Sequence, residues 1–238
     1  MAEKFKRPSG RKYDEARKIE AEAGIIGKAD GSARFKIGDT EAYAAVYGPR
    51  ELHPKFLQDP KTGVLRCNYN MLPFAGDGTR VRPGPSRRSK EITHVTESAL
   101  RPILDLTDYP NSVVDVFIEL PQTDAGSRCA GICAAAIALA DAGLIMKDMV
   151  SAVSVGMVEG EILVDLDGEE EHMNENEGTD IPVAYIPSTE EITLLQMDGK
   201  IPKEDIVKSL ELVKPALIKI AEVQRQALHK KYQTELQE

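Results

Sequence analysis

The chain lacks the features that direct a protein to a membrane or a secretory route. None of its apolar runs approaches the roughly 20 residues that a transmembrane helix needs. The first seven residues are rich in charge and contain no apolar segment, so we expect no secretory signal. The chain has three cysteines, Cys67, Cys129 and Cys133. Their odd number and the lack of paired spacing disfavour a disulfide framework or a zinc site. We therefore expect a cytoplasmic protein that makes no membrane contact.

Several common catalytic signatures are also missing. The sequence has no Walker motif, no dinucleotide-binding fingerprint and no nucleophile elbow. The four histidines, at 53, 94, 172 and 229, are scattered without metal-ligand spacing, and we interpret them as surface residues. The 238 residues are 42% hydrophobic and 29% charged, as in ordinary globular proteins. The net charge of −9 argues against a protein that coats nucleic acid with its whole surface, but it is compatible with a local basic site.

Charge is unevenly placed along the chain. Residues 80–90 hold four arginines and a lysine without an acid, whereas residues 159–177 hold nine acids without a lysine or arginine. These segments are either two solvated surfaces or the two sides of a phosphate-handling, metal-dependent site. Arg88 favours the second interpretation, because it falls in the first turn of a predicted helix, where a cation opposes the helix dipole.

The hydrophobic pattern predicts an α+β fold in the order β-rich, α, β, α, β-rich, α. We expect one domain over residues 1–238, with a division into halves 1–143 and 144–238 as the alternative. Predicted helices span 86–106 and 128–142, and a third begins near Pro202, is interrupted by Pro215 and frays from Arg225. Pro102 should kink or end the first helix. The predicted strands are 23–27, 32–37, 40–47, 64–72, 113–120, 150–158, 162–167, 181–186 and 192–197.

The segment DAGSR at residues 124–128 joins a predicted strand to a helix of small residues. The first turn of a helix has unpaired N–H groups and a positive dipole end, which suit an anion. Gly126 allows close backbone approach, Ser127 offers a hydroxyl and Arg128 offers a charged fork. The segment therefore predicts a phosphate site, although an ordinary N-cap gives a similar pattern.

The loop predicted before the strand at 181–186 contains many carboxylate side chains. Carboxylates at strand ends can hold Mg²⁺, which prefers oxygen ligands, and a solvated acidic loop is the alternative. Asp180 stands out because it directly precedes an apolar strand that would hold it in a fixed place.

Six segments, taken in order, resemble the RNase PH family, and in particular the catalytic RNase PH-like subunits of archaeal exosomes. The resemblance covers nearly the whole chain. The segments are GRK at 10–12, DGSA at 30–33, AVYGP at 45–49, PSRR at 85–88, DAGSR at 124–128 and LQMDG at 195–199.

The resemblance implies a phosphorolytic 3′→5′ exoribonuclease, in which inorganic phosphate is the co-substrate and nucleoside diphosphates are released. It assigns Arg88, Ser127 and Arg128, with Gly126, to phosphate binding. It also implies that the reaction runs in reverse and adds tails to RNA.

The resemblance further implies a general acid and a ligand for Mg²⁺ or Mn²⁺ in the acidic loop. Asp180 matches the metal position. Counting from Asp165, the general acid falls on Glu171, where the family has Asp, and three extra residues follow before Asp180. Glu170 and Glu177 are the alternatives for the acid.

The family's archaeal form is a ring of three such subunits and three related inactive ones, with RNA-binding cap subunits. This implies RNA contacts in the basic loops, for which the candidates are Lys55, Arg80, Arg82 and Arg87. A stand-alone RNase PH that trims tRNA ends and a non-catalytic RNA-binding ring subunit are the alternative functions.

Overall fold

The computed structural model describes residues 5–76, 81–173 and 179–235. Its first sheet has five strands in the order β1-β2-β3-β5-β4, and only the β4–β5 pair is parallel. All five strands of this sheet come from residues 19–122. Its strands are β1 (Ile19–Ala23), β2 (Gly31–Ile37), β3 (Thr40–Glu51), β4 (Val64–Met71) and β5 (Ser112–Gln122).

The second sheet has four antiparallel strands in the order β7-β6-β8-β9. A tight turn at Glu159 and Gly160, both with positive φ, joins β6 to β7 and confirms the predicted hairpin. The strands are β6 (Ser151–Val158), β7 (Glu161–Val164), β8 (Thr179–Ile186) and β9 (Glu191–Leu195).

Four helices complete the fold: α1 (Arg87–Leu100), α2 (Ser127–Asp141), α3 (Gly168–His172) and α4 (Lys203–Glu235). α2 packs against strands of both sheets, α1 against β4 and β9, and α4 against β1 and β6. The predicted α+β architecture is thus confirmed. Within the described ranges, no helix has the length and apolar character needed to cross a membrane.

α2 forms the centre of the core. Its side chains are almost all buried on every face, because one sheet covers one side and the second sheet covers the other. Small residues such as Ala134 and Ala135 allow both sheets to approach the helix closely. The small-residue run that stood out in the sequence therefore forms the contact between the two sheets, and it fixes where the N-terminus of α2 lies.

Element boundaries differ from the sequence predictions at several points. The first strand is Ile19–Ala23 and not 23–27, since Gly24 takes a left-handed conformation (φ +76°) that ends it. α1 ends at Leu100, and a 3₁₀ turn at Arg101–Ile103 takes up Pro102. The acidic segment is not simply a loop, because Asp167 caps the short helix α3.

The last helix is longer and more regular than predicted. α4 begins one residue after Pro202 and continues through Pro215, which does not interrupt it, to Glu235. Its region after residue 225 does not fray, because Arg225 pairs with Asp148 and Lys231 with Asp141, each at 2.7 Å. These contacts anchor the polar tail to the body of the protein.

A buried network of charges ties residues 7–17 to the second sheet. Arg7 Nε and Nη2 donate to the two carboxylate oxygens of Glu170 at 2.7 Å, and both side chains are fully buried. Arg17 pairs with Asp165 at 2.7 Å and with Asp124 at 3.2 Å. Ion pairs buried this deeply are stable only with good geometry and full hydrogen bonding. The network fixes the position of α3 relative to the loop before α2.

Candidate active site

A cavity of about 400 Å³ lies where the N-termini of α1 and α2 face α3 and β8. Most of the predicted site residues line it together, although they come from separate parts of the chain. They are Arg82, Arg88, Gly126, Ser127, Arg128, Glu171 and Asp180. Lys55 and Arg87 do not line this cavity, and Arg80 and Glu177 lie outside the described residues.

The loop before α2 has a backbone shape suited to an anion. Ala125 and Gly126 are both left-handed, with φ of 56° and 62°, and no side chain caps the helix. A left-handed alanine is strained and persists only where its surroundings hold it. Thr40 does so, since its hydroxyl accepts from Asp124 N at 2.8 Å and lies 2.6 Å from the Ala125 carbonyl oxygen, to which it can donate. The first-turn N–H groups of α2 thus face the cavity without a side-chain cap.

Two arginines place positive charge on the same side of the cavity. Arg88 lies in the first turn of α1, which begins with a capping box between Ser86 and Ser89 and contains no acid in that turn. Arg88 and Arg128 both act on the buried Tyr69, whose pKa is raised by burial and lowered in part by Ser127 and the two guanidinium groups. Arg88, Ser127 and Arg128, the three side chains predicted to bind phosphate, therefore lie near one another at this cavity.

Glu171 faces these cations from α3. The start of α3 is fixed because Gly168 N donates to Asp124 Oδ1 at 2.8 Å. A Cβ on residue 168 would lie 2.5 Å from that oxygen, so any other residue would force the Asp124 carboxylate to shift. The Glu171 side chain as a whole is exposed, yet desolvation of its carboxyl raises the pKa, against the opposing charge of Arg88. A raised pKa suits a group that must deliver a proton.

Glu170, the neighbouring candidate for the general acid, has another role. Its carboxylate is fully buried and accepts hydrogen bonds from Arg7 at both oxygens. Its side chain also closes a capping box with Asp167. A carboxylate engaged in this way holds α3 in place and has no free oxygen for a substrate, so the geometry favours Glu171 over Glu170.

Asp180 occupies the second position of β8, one residue inside the strand and not just before it. Its backbone pairs with Asp198 through two hydrogen bonds of 2.9 Å, which hold it firmly. Burial and the nearby Glu171 raise the pKa of Asp180 to about 6, while Arg128 and Ser154 act in the opposite direction. Asp180 Oδ1 is buried and, within the described part of the chain, accepts no hydrogen bond.

A divalent cation fits this unpartnered carboxylate oxygen. The described residues contain no group of three or more His, Cys, Asp and Glu side chains arranged to enclose a metal. Mg²⁺ does not require such a cage, because it is commonly held by one or two carboxylates together with water and substrate phosphates. Asp180 can therefore serve as the protein's ligand to a cation that also contacts an anionic substrate.

Family models cover most of the chain. The model described as the 3′ exoribonuclease family (RNase PH), domain 1, matches residues 15–144, and domain 2 of that family matches residues 148–214. The chain belongs to the RNase PH family. Exosome complex component Rrp41 of Thermococcus gammatolerans is 49% identical over 230 residues, covering 97% of this chain and 91% of the relative. Its counterpart from Nitrosopumilus maritimus is 43% identical over 232 residues, covering 98% and 93%.

Solved structures share this RNase PH fold. A structure of the Archaeoglobus fulgidus exosome with RNA bound to the active site superposes with a TM-score of 0.79 at 26% identity, covering 91% of this chain and 92% of the other. Rice Rrp46 gives a TM-score of 0.82 at 24% identity and covers 94% of this chain and all of its own. The rice protein supports the fold alone.

Several cavity residues of this RNase PH family member were not predicted from its sequence. Tyr69, Asn70 and Ser154 lie on strands whose pattern marks them only as ordinary strand positions. His172, interpreted as a surface residue, lines the cavity beside Glu171. Asp124 stood within the DAGSR segment but had no assigned role. Its contacts with Gly168 and Arg17 join positions far apart in the chain, which no local pattern reveals.

Proposed function

We propose that this protein is a phosphorolytic 3′→5′ exoribonuclease and the catalytic subunit of an exosome ring. The observation that carries the proposal is that cationic groups and carboxylates line one cavity. Arg88, Arg128 and the N-terminus of α2 line it together with Glu171 and Asp180. Such a cavity can hold two anions against each other and still provide a carboxyl group to donate a proton. Non-catalytic scaffolding would not require these groups to converge.

The cationic groups of the cavity hold inorganic phosphate and the scissile phosphodiester. Arg88, Arg128 and the Ser127 hydroxyl offset the repulsion between these anions and stabilise the charge that develops in the transition state. A phosphate oxygen bonds to the phosphorus of the last linkage, and the bond from that phosphorus to the 3′ oxygen of the preceding nucleotide breaks. Glu171 gives its proton to this departing oxygen, which leaves shortened RNA with a 3′ hydroxyl and a nucleoside diphosphate.

Asp180 would hold Mg²⁺ or Mn²⁺. When bound there, the cation supplies positive charge next to the substrate phosphates. The support for this assignment is the buried, unpartnered Oδ1 of Asp180 and the fixed backbone behind it.

The proposal of ring partners is supported by the relatives, which are named as exosome complex components. We place this chain in a cytoplasmic ring of three copies with three copies of a related inactive subunit, together with RNA-binding cap subunits. Arg82 lines the cavity and would contact the RNA backbone near the active site. Lys55 is exposed outside the cavity, as is Arg87, so they would contact RNA further along its path, with Arg80 as the remaining candidate.

RNA degradation should require inorganic phosphate and should release nucleoside diphosphates. Purified ring, incubated with labelled RNA with and without phosphate, tests this by chromatography of the products. Because one phosphate linkage is exchanged for another, excess ADP should drive the reverse reaction and lengthen the RNA. Nucleoside monophosphates formed in phosphate-free buffer would instead identify a hydrolase.

Asp180→Asn should weaken binding of the divalent cation and reduce activity, and added Mg²⁺ should partly restore the activity. An amide oxygen retains the shape of the carboxylate but not its charge, which a hard cation needs. Mn²⁺ binding followed by electron paramagnetic resonance gives a readout that does not depend on turnover. Asp108→Asn serves as a comparison, because Asp108 is an exposed carboxylate that does not line the cavity. Equal Mn²⁺ affinity of Asp180→Asn and the unmodified protein would contradict the assignment.

A further inference from the structure

The side-chain amide of Gln196 lies between two groups of opposite charge. Arg128 Nη1 donates a hydrogen bond to Gln196 Oε1, and Gln196 Nε2 donates to Glu91 Oε1 at 3.0 Å. Arg128 lies in α2 and Glu91 in α1, and Gln196 is the residue directly after β9. The LQMDG segment was singled out in the sequence, but the proposed reaction gives no role to its glutamine.

The hydrogen-bonding groups of Arg128 and Glu91 fix the orientation of the Gln196 side-chain amide. Arginine carries only donors, so it must face the amide oxygen, and an ionised carboxylate carries only acceptors, so it must face the amide nitrogen. Glutamine is neutral and can satisfy both neighbours without changing the charge of either. The Gln196 backbone is also held, because its N–H donates to the Pro182 carbonyl at 3.3 Å.

Glu91 is a competing partner for Arg128. Its Oε1 lies 3.9 Å from Arg128 Nη1, at the outer limit of an ion pair, while Gln196 makes the direct hydrogen bond. The Arg128 side chain is 21% exposed, so water screens a partner charge there only in part. A direct pair between Arg128 and a carboxylate would draw the guanidinium away from an incoming anion and offset its charge.

We infer that Gln196 is a positioning residue that anchors Arg128 in the phosphate site without neutralising it, and that it thereby sets the affinity for inorganic phosphate. This inference rests on the proposed phosphorolytic function. It assigns to the neutrality of residue 196 a role in phosphate binding, in addition to the hydrogen bonds that its amide makes with Arg128 and Glu91.

Gln196→Glu tests the inference with a side chain of the same shape. The variant should raise the KM for phosphate about tenfold, as expected for a unit negative charge placed in contact with the phosphate-binding cation at a partly exposed site. The KM for RNA should remain close to that of the unmodified ring. Initial rates at varied phosphate and saturating RNA give the first value, and varied RNA at saturating phosphate gives the second. Gln226→Glu, which adds the same charge on an exposed position of α4, is the matched control.

The double variant Glu91→Gln/Gln196→Glu separates charge from geometry. It retains a donor–acceptor pair between the two positions and the net charge of the unmodified protein, but the carboxylate now contacts Arg128. We expect the KM for phosphate to stay raised. A KM that returns to the unmodified value would show that only the hydrogen bonds matter and would overturn the inference.

The remaining outcomes are also decisive. A phosphate-dependent ring whose KM for phosphate is unaltered by Gln196→Glu would overturn this inference and leave the proposed function standing. An unmodified ring that degrades RNA without phosphate would overturn both. Thermal unfolding of each variant checks that the rates refer to folded protein, and gel filtration checks that the ring has assembled.

Discussion

Arg128→Ala is expected to slow phosphate-dependent RNA degradation by about 10²–10³-fold, equivalent to roughly 3–4 kcal/mol of transition-state stabilisation, by analogy with loss of an oxyanion-hole donor. The guanidinium lines the cavity with Arg88 and Ser127, where the proposed reaction brings two anions together. Its removal leaves their repulsion uncompensated, so catalysis should fall far more than RNA binding. Single-turnover degradation at saturating phosphate, together with filter binding of RNA, measures the two effects separately.

Arg82→Ala is the comparison for this prediction, because Arg82 is an exposed arginine at the same cavity but lies outside the helix N-termini. Its removal should mainly weaken RNA binding and reduce the salt dependence of the affinity, as expected for a contact to backbone phosphate. If both substitutions affected catalysis and RNA binding equally, the separation of phosphate-binding and RNA-binding roles would be wrong.

Glu171→Gln is expected to reduce the rate by about 10²–10⁴-fold, the usual contribution of a general acid, while RNA affinity is retained. Glutamine has the same shape as glutamic acid but no proton of suitable acidity for the departing 3′ oxygen. Added Mg²⁺ should therefore not restore activity, unlike in Asp180→Asn. Single-turnover rates across a range of Mg²⁺ concentrations distinguish the two variants.

The same helix provides the controls. Glu169→Gln changes an exposed carboxylate of α3 that does not line the active-site cavity, so its rate should stay near that of the unmodified ring. Glu170→Gln should lower stability, because it leaves Arg7 without its buried counter-charge. An active Glu171→Gln variant together with an inactive Glu177→Gln variant would move the general acid to residue 177.

Local chemistry was enough to predict much of the site. The glycine and the unpaired N–H groups at the start of a helix identified residues 126–128, and a cation placed against a helix dipole identified Arg88. Asp180 was found because the apolar residues of β8 follow it directly. The small residues of α2 were visible too, but the sequence could not show that two sheets cover opposite faces of that helix.

The supporting contacts could not be predicted, because they join distant parts of the chain. Thr40 holds the loop before α2 across 84 positions, and Asp124 holds α3 across 44. No periodic pattern or spacing links such residues. For the same reason the sequence could not decide between Glu170 and Glu171, which differ only in the direction that α3 gives to each side chain.

The buried pair between Arg7 and Glu170 has a consequence for the order in which the protein acquires its active site. The two residues are 163 positions apart, so during synthesis Arg7 is made long before its partner exists. A buried arginine without a counter-charge is strongly unfavourable, so residues 5–17 cannot settle into place until the segment at 165–170 has been made. The first sheet can begin to fold earlier, since its strands and α2 are complete by residue 141. The cavity of a nascent chain therefore forms late in synthesis. A chain truncated before residue 165 should not degrade RNA.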